Sequence, residues 1–145
     1  MDTNASVERT ASTPAPDVRG GVVPYLIVDG ATNASDFYVR AFGATEVARH
    51  PVDDRGRTMH VHLYVNGGSL MLSDAYPEHG CALAPAQGYS LLLHVDDVEA
   101  WWSRAVAAGA TVVMPLQDMF WGDRYGQLRD PFGIKWSIAT PIKKS

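Results

Sequence analysis

The chain carries an internal repeat, and that constrains its fold more than any other feature. Phe42-Gly43-Ala44-Thr45 answers Ala108-Gly109-Ala110-Thr111 at a spacing of 66 residues, and Val28-Asp29 answers Val95-Asp96 at 67. Each copy reads as strand, helix, strand, strand, strand. A four-stranded sheet with one helix has only one covered face, and its other face must be buried by something. Two such sheets placed side by side curl into a cup, helices outside and a cavity within. The expected class is therefore α+β, a cup-shaped mixed sheet built from two βαβββ modules. Residues 21–75 form module one, 76–87 a linker and 88–140 module two. Residues 1–20 form a polar tail, expected to be disordered, and 141–145 a C-terminal tail.

The elements follow from local pattern. Val22–Val28 reads as a strand, and Pro24 inside it argues for an edge position or a bulge. Thr32 or Asn33 is the expected cap of a helix over Ala34–Phe42, which Gly43 ends. Strands follow over Ala44–His50, Met59–Val65 and Ser69–Asp74, with a hairpin turn at Asn66-Gly67-Gly68. The linker, with two prolines and no period, reads as a flap. Tyr89–Val95 is a strand, and Asp96 or Asp97 caps a helix that runs to Ala108. Thr111–Met114 is a strand, followed by a long loop and a closing hairpin.

Bulk properties exclude several classes. The chain has 145 residues, one domain's worth, and a net charge of −4 with no basic run beyond Lys143-Lys144, which argues against a nucleic-acid partner. No apolar run approaches the ~20 residues of a membrane helix, and no secretory signal is evident. The one cysteine, Cys81, rules out an internal disulfide and fits a reducing compartment. The expected location is the cytoplasm.

The closing hairpin is Arg124–Arg129 and Ile134–Ala139 around the turn Asp130-Pro131-Phe132-Gly133, where Gly133 takes a positive φ. Just before it, Trp121-Gly122-Asp123-Arg124-Tyr125-Gly126 concentrates aromatic, guanidinium and carboxylate groups, a mixture that suits a pocket wall. The run FWGDRYGQLRDPFG with its W-x-I-A-T ending resembles the last hairpin of the vicinal oxygen chelate superfamily, which includes glyoxalase I, extradiol dioxygenases and bleomycin-resistance proteins. Within it, the run from Met114-Pro115-Leu116 to Asp130-Pro131-Phe132-Gly133 is similar to the PhnB-like subgroup. The resemblance covers about Val22–Thr140. It implies the same cup and, in many members, a pair of chains.

Strand alternation sorts the side chains. Leu26 and Val28 meet the helix, leaving Val23, Tyr25 and Ile27 for the cavity. Leu91, Leu93 and Val95 oppose Ser90, Leu92 and His94. Trp136 and Ile138 oppose Lys135, Ser137 and Ala139. His60, His62 and Tyr64 share a face opposite Val61, Leu63 and Val65. Metal-dependent members of the superfamily bind a divalent ion through His and Glu. Carried onto this chain by the resemblance, those positions fall on Val23, Leu72, Ser90 and Ser137, with Ser73 as the fourth-strand alternative. None offers imidazole or carboxylate, so no metal and no cofactor is expected. His60 and His62, with His94 nearby, are the remaining metal-capable residues, and two histidines on a sheet face are more often plain surface or ring-stacked residues.

Tyr25, Ser90, Trp121, Arg124, Tyr125, Gln127 and Ser137 are the expected ligand-binding residues. For Trp121, Asp123, Arg124 and Tyr125 a second reading stands beside it, a loop held by an Asp–Arg pair. Trp101-Trp102, Phe37-Tyr38 and Phe42 read as helix-to-sheet packing, and Cys81 as a bystander thiol. The leading functional expectation is a metal-free small-molecule binding protein that sequesters or carries an aromatic or amphipathic metabolite or drug. The alternative is an enzyme of lyase, isomerase or dioxygenase type. In its metal-independent form His60, His62 or His94 would be the general base and Arg124 would stabilise developing charge. A homodimer is expected, because Pro24 marks a free sheet edge and the helices carry more aromatic surface than one small domain needs.

Overall fold

A computed structural model describes residues 15–143. Module one comprises β1 (Tyr25–Val28), α1 (Ala31–Phe42), β2 (Thr45–Arg49), β3 (Val61–Val65) and β4 (Gly68–Asp74). Module two comprises β5 (Leu91–His94), α2 (Val98–Ala108), β6 (Thr111–Asp118), β7 (Asp123–Arg129) and β8 (Lys135–Pro141). The sheets have the matching orders β1-β4-β3-β2 and β5-β8-β7-β6, with β1–β4 and β5–β8 parallel. The expected fold class, two βαβββ modules in an α+β cup, is what these elements form. The short linker turn Pro77–His79 is a 3-10 helix.

One core joins the modules. α1 and α2 pack on each other, and one cluster contains Leu26, Val28, Leu63 and Leu72 together with Leu93, Leu128, Trp136 and Ile138. Tyr38 and Phe42 of α1 reach across to Trp136 of β8, with ring centroids 5.4 and 4.6 Å apart. Asp130 ties the same place: its Oδ2 accepts from Tyr38 Oη at 2.6 Å and Trp136 Nε1 at 2.9 Å. Its Oδ1 accepts from the backbone of Phe132 and Ile134. Burial, with Asp130 beside it, pushes the Tyr38 hydroxyl well above its ordinary pKa.

Three expectations about the elements need correction. α1 begins at Ala31, not Ala34, and neither Thr32 nor Asn33 caps it. Gly30 is the N-cap in a left-handed conformation, and the buried carboxylate of Asp74, 44 residues on, accepts from the N–H groups of Gly30 and Ala31. Satisfying orphan helix donors from a distant strand leaves no local trace in sequence. Second, β6 does not stop at Met114 but continues to Asp118, and the long loop shrinks to a tight turn over Met119–Gly122. Pro115 is tolerated because β6 is an edge strand whose register shifts between Met114 and Gln117. Third, Asp17–Gly20, assigned to the tail, lies on the sheet: Ser69 and Arg19 exchange N–H···O bonds at 3.0 and 2.8 Å, and Tyr64 Oη donates to Asp17 O. Residues 1–14, the rest of that tail, lie outside the described residues.

β1 starts at Tyr25 rather than Val22, so Pro24 stands just before the strand and not inside it, while two other local readings hold. Asp97 caps α2, accepting from Ala100 N–H at 3.1 Å. Gly133 has φ +90° and closes the turn by donating to Asp130 O.

Candidate functional site

The face of each sheet away from the helices carries the polar side chains. On module two, Gly126 sits beneath Trp102 of α2, so Tyr125 and Gln127 necessarily point the other way. There they meet Ser137 and Ser90 in one chain of hydrogen bonds. Gln127 Nε2 donates to Tyr125 Oη at 2.8 Å, Tyr125 Oη lies 2.9 Å from Ser137 Oγ, and Ser137 Oγ lies 2.9 Å from Ser90 Oγ. Either hydroxyl of the Tyr125–Ser137 and Ser137–Ser90 pairs can be the donor, and a chain running from Gln127 towards Ser90 leaves the Ser90 proton for an outside acceptor. Trp121 covers one end edge-on, 5.4 Å from the Tyr125 ring, while its Nε1 donates to Asp123 at 3.2 Å.

On module one the open face carries Tyr25, His60, His62, Tyr64 and Ser69. Tyr25 Oη contacts His60 Nδ1 at 2.9 Å and Met59 O at 3.2 Å. His62 is fully buried, with Nε2 2.7 Å from Ser69 Oγ. Ser69 Oγ also accepts from Arg19 N–H, so it ties the buried ring to the Asp17–Gly20 segment. Burial holds the His62 pKa below its ordinary value, and the charge of Arg19 adds to the effect. His60 is lowered too, by burial and then by His50 and His62.

A cleft of about 350 Å³ runs between the inner edges of the two sheets, walled by Val22, Pro24, Leu92 and Trp136 and reached by Arg19, Ser69 and Ser90. A larger cleft of about 550 Å³ lies under the linker, between Ile27, Leu83–Ala86 and the Asp130–Gly133 turn. Its Arg129 is held by Gly133 O. A third, of about 540 Å³, contains Arg57, which is paired with Asp53 and Glu78. The cleft under the linker also has a polar group from each module, Asp29 and Arg129, but the smallest of the three reaches Ser90 at the end of the hydroxyl chain, so it, with that chain, is the candidate site.

Of the expected ligand-binding residues, Ser90, Trp121, Tyr125, Gln127 and Ser137 come together. Tyr25 lies on module one with its hydroxyl engaged. Arg124 is elsewhere: it shares the helix-facing side of β7 with Gly126, and pairs with Glu99 of α2 at 2.6 Å and Asp118 at 3.1 Å. His94 lies on the open face of β5, exposed, while His60 and His62 belong to the other sheet. The Arg124–His pairing that a metal-independent acid–base mechanism requires is therefore not formed. Arg19 is the residue missed by sequence reasoning, because nothing local distinguishes it from the rest of a polar tail.

The metal positions implied by the resemblance also change. Leu72 faces the helix and is fully buried. The registers Tyr25↔Met71 and Leu92↔Ser137 make Met71 the counterpart of Ser137. Val23, Met71, Ser90 and Ser137 supply an alkyl group, a thioether and two neutral hydroxyls, which do not fit a divalent ion that needs imidazole and carboxylate donors. Among the described residues no three His, Cys, Asp or Glu side chains gather at one point.

Residues 21–138 match the model of the glyoxalase/bleomycin resistance protein/dioxygenase superfamily. The chain belongs to that superfamily. An uncharacterised protein of Mycobacterium tuberculosis, Rv0887c, is 42% identical over 143 residues, spanning 94% of this chain and 84% of that one. Protein PA1353 from Pseudomonas aeruginosa shares 32% identity and a TM-score of 0.69 over 83% of this chain and 96% of its own. TnmS3, an antibiotic binding protein from Streptomyces sp. CB03234, has the same fold at 24% identity, with a TM-score of 0.62 over 90% of this chain and all (100%) of its own. No helix among the described residues is long and apolar enough to cross a membrane.

Proposed function

We propose that this protein binds a small aromatic or amphipathic molecule, a metabolite or a drug, without a metal ion, and sequesters or carries it. The observation that carries the reading is the chain Gln127–Tyr125–Ser137–Ser90, which ends in a hydroxyl at an apolar cleft. The superfamily's metal chemistry needs ionic donors at that place. This chain has neutral hydroxyls there, which suit hydrogen bonding to a ligand held by apolar walls. The antibiotic binding protein TnmS3 has the same fold, and the runs FWGDRYG and DPFG point within the superfamily to the PhnB-like proteins.

The test is a titration with aromatic and amphipathic compounds followed by tryptophan fluorescence, with Trp121 and Trp136 as reporters. A saturable change is expected, and Ser137→Ala, which cuts the chain in the middle, weakens it by about fivefold, the equivalent of ~1 kcal/mol. A divalent ion bound stoichiometrically to Ser90 and Ser137 in the purified protein would contradict the reading.

The binding unit is a homodimer in this proposal, located in the cytoplasm. Phe120 (95% exposed) at the β6–β7 turn and Val22 (92%) beside the cleft are the most exposed of the large apolar groups that a partner would cover. Light scattering should give about twice the chain mass of 15.7 kDa; a monomer at micromolar concentration would contradict the dimer.

A further inference from the structure

The segment Asp17–Gly20 brings a cation to the cleft. Its backbone is fixed by the paired Arg19–Ser69 hydrogen bonds and by Tyr64 Oη on Asp17 O. Its side chain is fixed separately, with the Arg19 guanidinium stacked 3.6 Å from the centroid of the Tyr64 ring. Tyr64 thus holds both the strap and its charge. Stacking uses the face of the guanidinium and leaves its in-plane N–H groups free to donate. Among the described residues that guanidinium meets no carboxylate and no side-chain acceptor, unlike Arg49, Arg57 and Arg124, each of which is paired. Arg19 lines the same cleft as Ser90, whose hydroxyl stands at the end of the module-two chain.

We infer that the cleft between the sheets selects ligands with an acidic group, a carboxylate or similar oxyanion, on an apolar aromatic body. The oxyanion sits between the Arg19 guanidinium and the Ser90 hydroxyl, and the body lies along Pro24, Leu92 and Trp136. Two donors, one cationic on the strap and one neutral on module two, complement an acceptor that carries negative charge. A volume of about 350 Å³ lies at the small end of ligand cavities and fits a one- or two-ring acid. The inference rests on the proposed binding function and deepens it by naming the ligand class.

The test compares 2-naphthoate with its neutral carboxamide, followed by tryptophan fluorescence, on the full chain and on Arg19→Gln and Arg19→Lys. Thermal melting checks that each variant is folded. The acid should bind about tenfold or more tightly than the amide, the strength expected of a charge-assisted contact. Arg19→Gln should abolish the preference, Arg19→Lys should retain part of it, and added salt should reduce it. Equal binding of acid and amide to the unmodified chain would overturn the inference while leaving the binding function standing. A preference for the acid that survives in folded Arg19→Gln would also overturn it, as would failure of both probes to bind, which would count against the binding function as well.

Discussion

On the open face of module one, polar groups are committed to other parts of the protein: Tyr25 to His60 and Met59, His62 to Ser69, Tyr64 to Asp17. On the open face of module two, the chain from Gln127 to Ser90 ends in a hydroxyl that lines the cleft. The modules have the same strand order and equivalent registers, so topology does not cause the difference. The side chains on alternate strand positions do. Module one closes its face with a strap from outside the repeat, and in the proposed function module two's face is the one that meets the ligand. The lone cation of that strap, Arg19, lines the cleft beside Val22, Pro24 and Ser69 of module one.

The two buried carboxylates make the same point energetically, and removing them should produce the largest effects. Asp74 works inside module one, accepting from Gly30, Ala31 and Thr58 N–H groups. Asp130 works between modules, through Tyr38 of α1 and Trp136 of β8. Asp130→Ala strands two side-chain and two backbone donors and should lose on the order of 3–5 kcal/mol in urea unfolding. Asp74→Ala should lose less. The reverse order would mean that the seam between modules is not where stability is concentrated.

Two glycines of module two separate packing from backbone conformation. A Cβ on Gly126 would lie 2.5 and 2.7 Å from Trp102 ring atoms and 3.1 Å from Leu116 Cα. Gly126→Val should therefore cost about 3 kcal/mol through overpacking. Gly133 has open space around it but φ +90°, so Gly133→Val should cost only the conformational strain, about 1–2 kcal/mol. Equal melting temperatures for Gly133→Val and the parent would refute the turn geometry.

The smallest effect concerns pH and belongs to module one alone. His60 and His62 have folded pKa values below the ordinary 6.5, mainly through burial. The unfolded chain therefore binds protons more readily than the folded one. Their contribution is fully present above pH 6.5 and is lost as pH falls through the folded values. Denaturant midpoints measured from pH 7 to 5 should fall, and should fall less in a His62→Gln variant. An unchanged slope in that variant would show that module one's face does not depend on a neutral imidazole.

Much of this was legible in sequence, and what was missed has a common cause. The repeat specified two βαβββ modules, alternation sorted the faces of β1, β3, β5 and β8, and the Asp130–Gly133 turn stands as read. The missed features all depend on contacts distant in sequence. The start of α1 is set by Asp74 from a strand 44 residues away. The length of β6 depends on its being an edge, where Pro115 needs no ladder partner. Arg124 alternates onto the helix side, which became visible only when Trp102 was seen resting on Gly126. Arg19 lay in a polar stretch with no periodicity, and only its docking on Ser69 and Tyr64 gives it a place.

The central claim is that module two recognises a ligand through neutral hydroxyls with no metal. The most direct measurement is one affinity taken twice: titration of 2-naphthoate into chelator-treated, dialysed protein, and into the same protein supplied with divalent zinc or nickel. The account predicts the same dissociation constant in both. Binding that appears only when the metal is restored would contradict it.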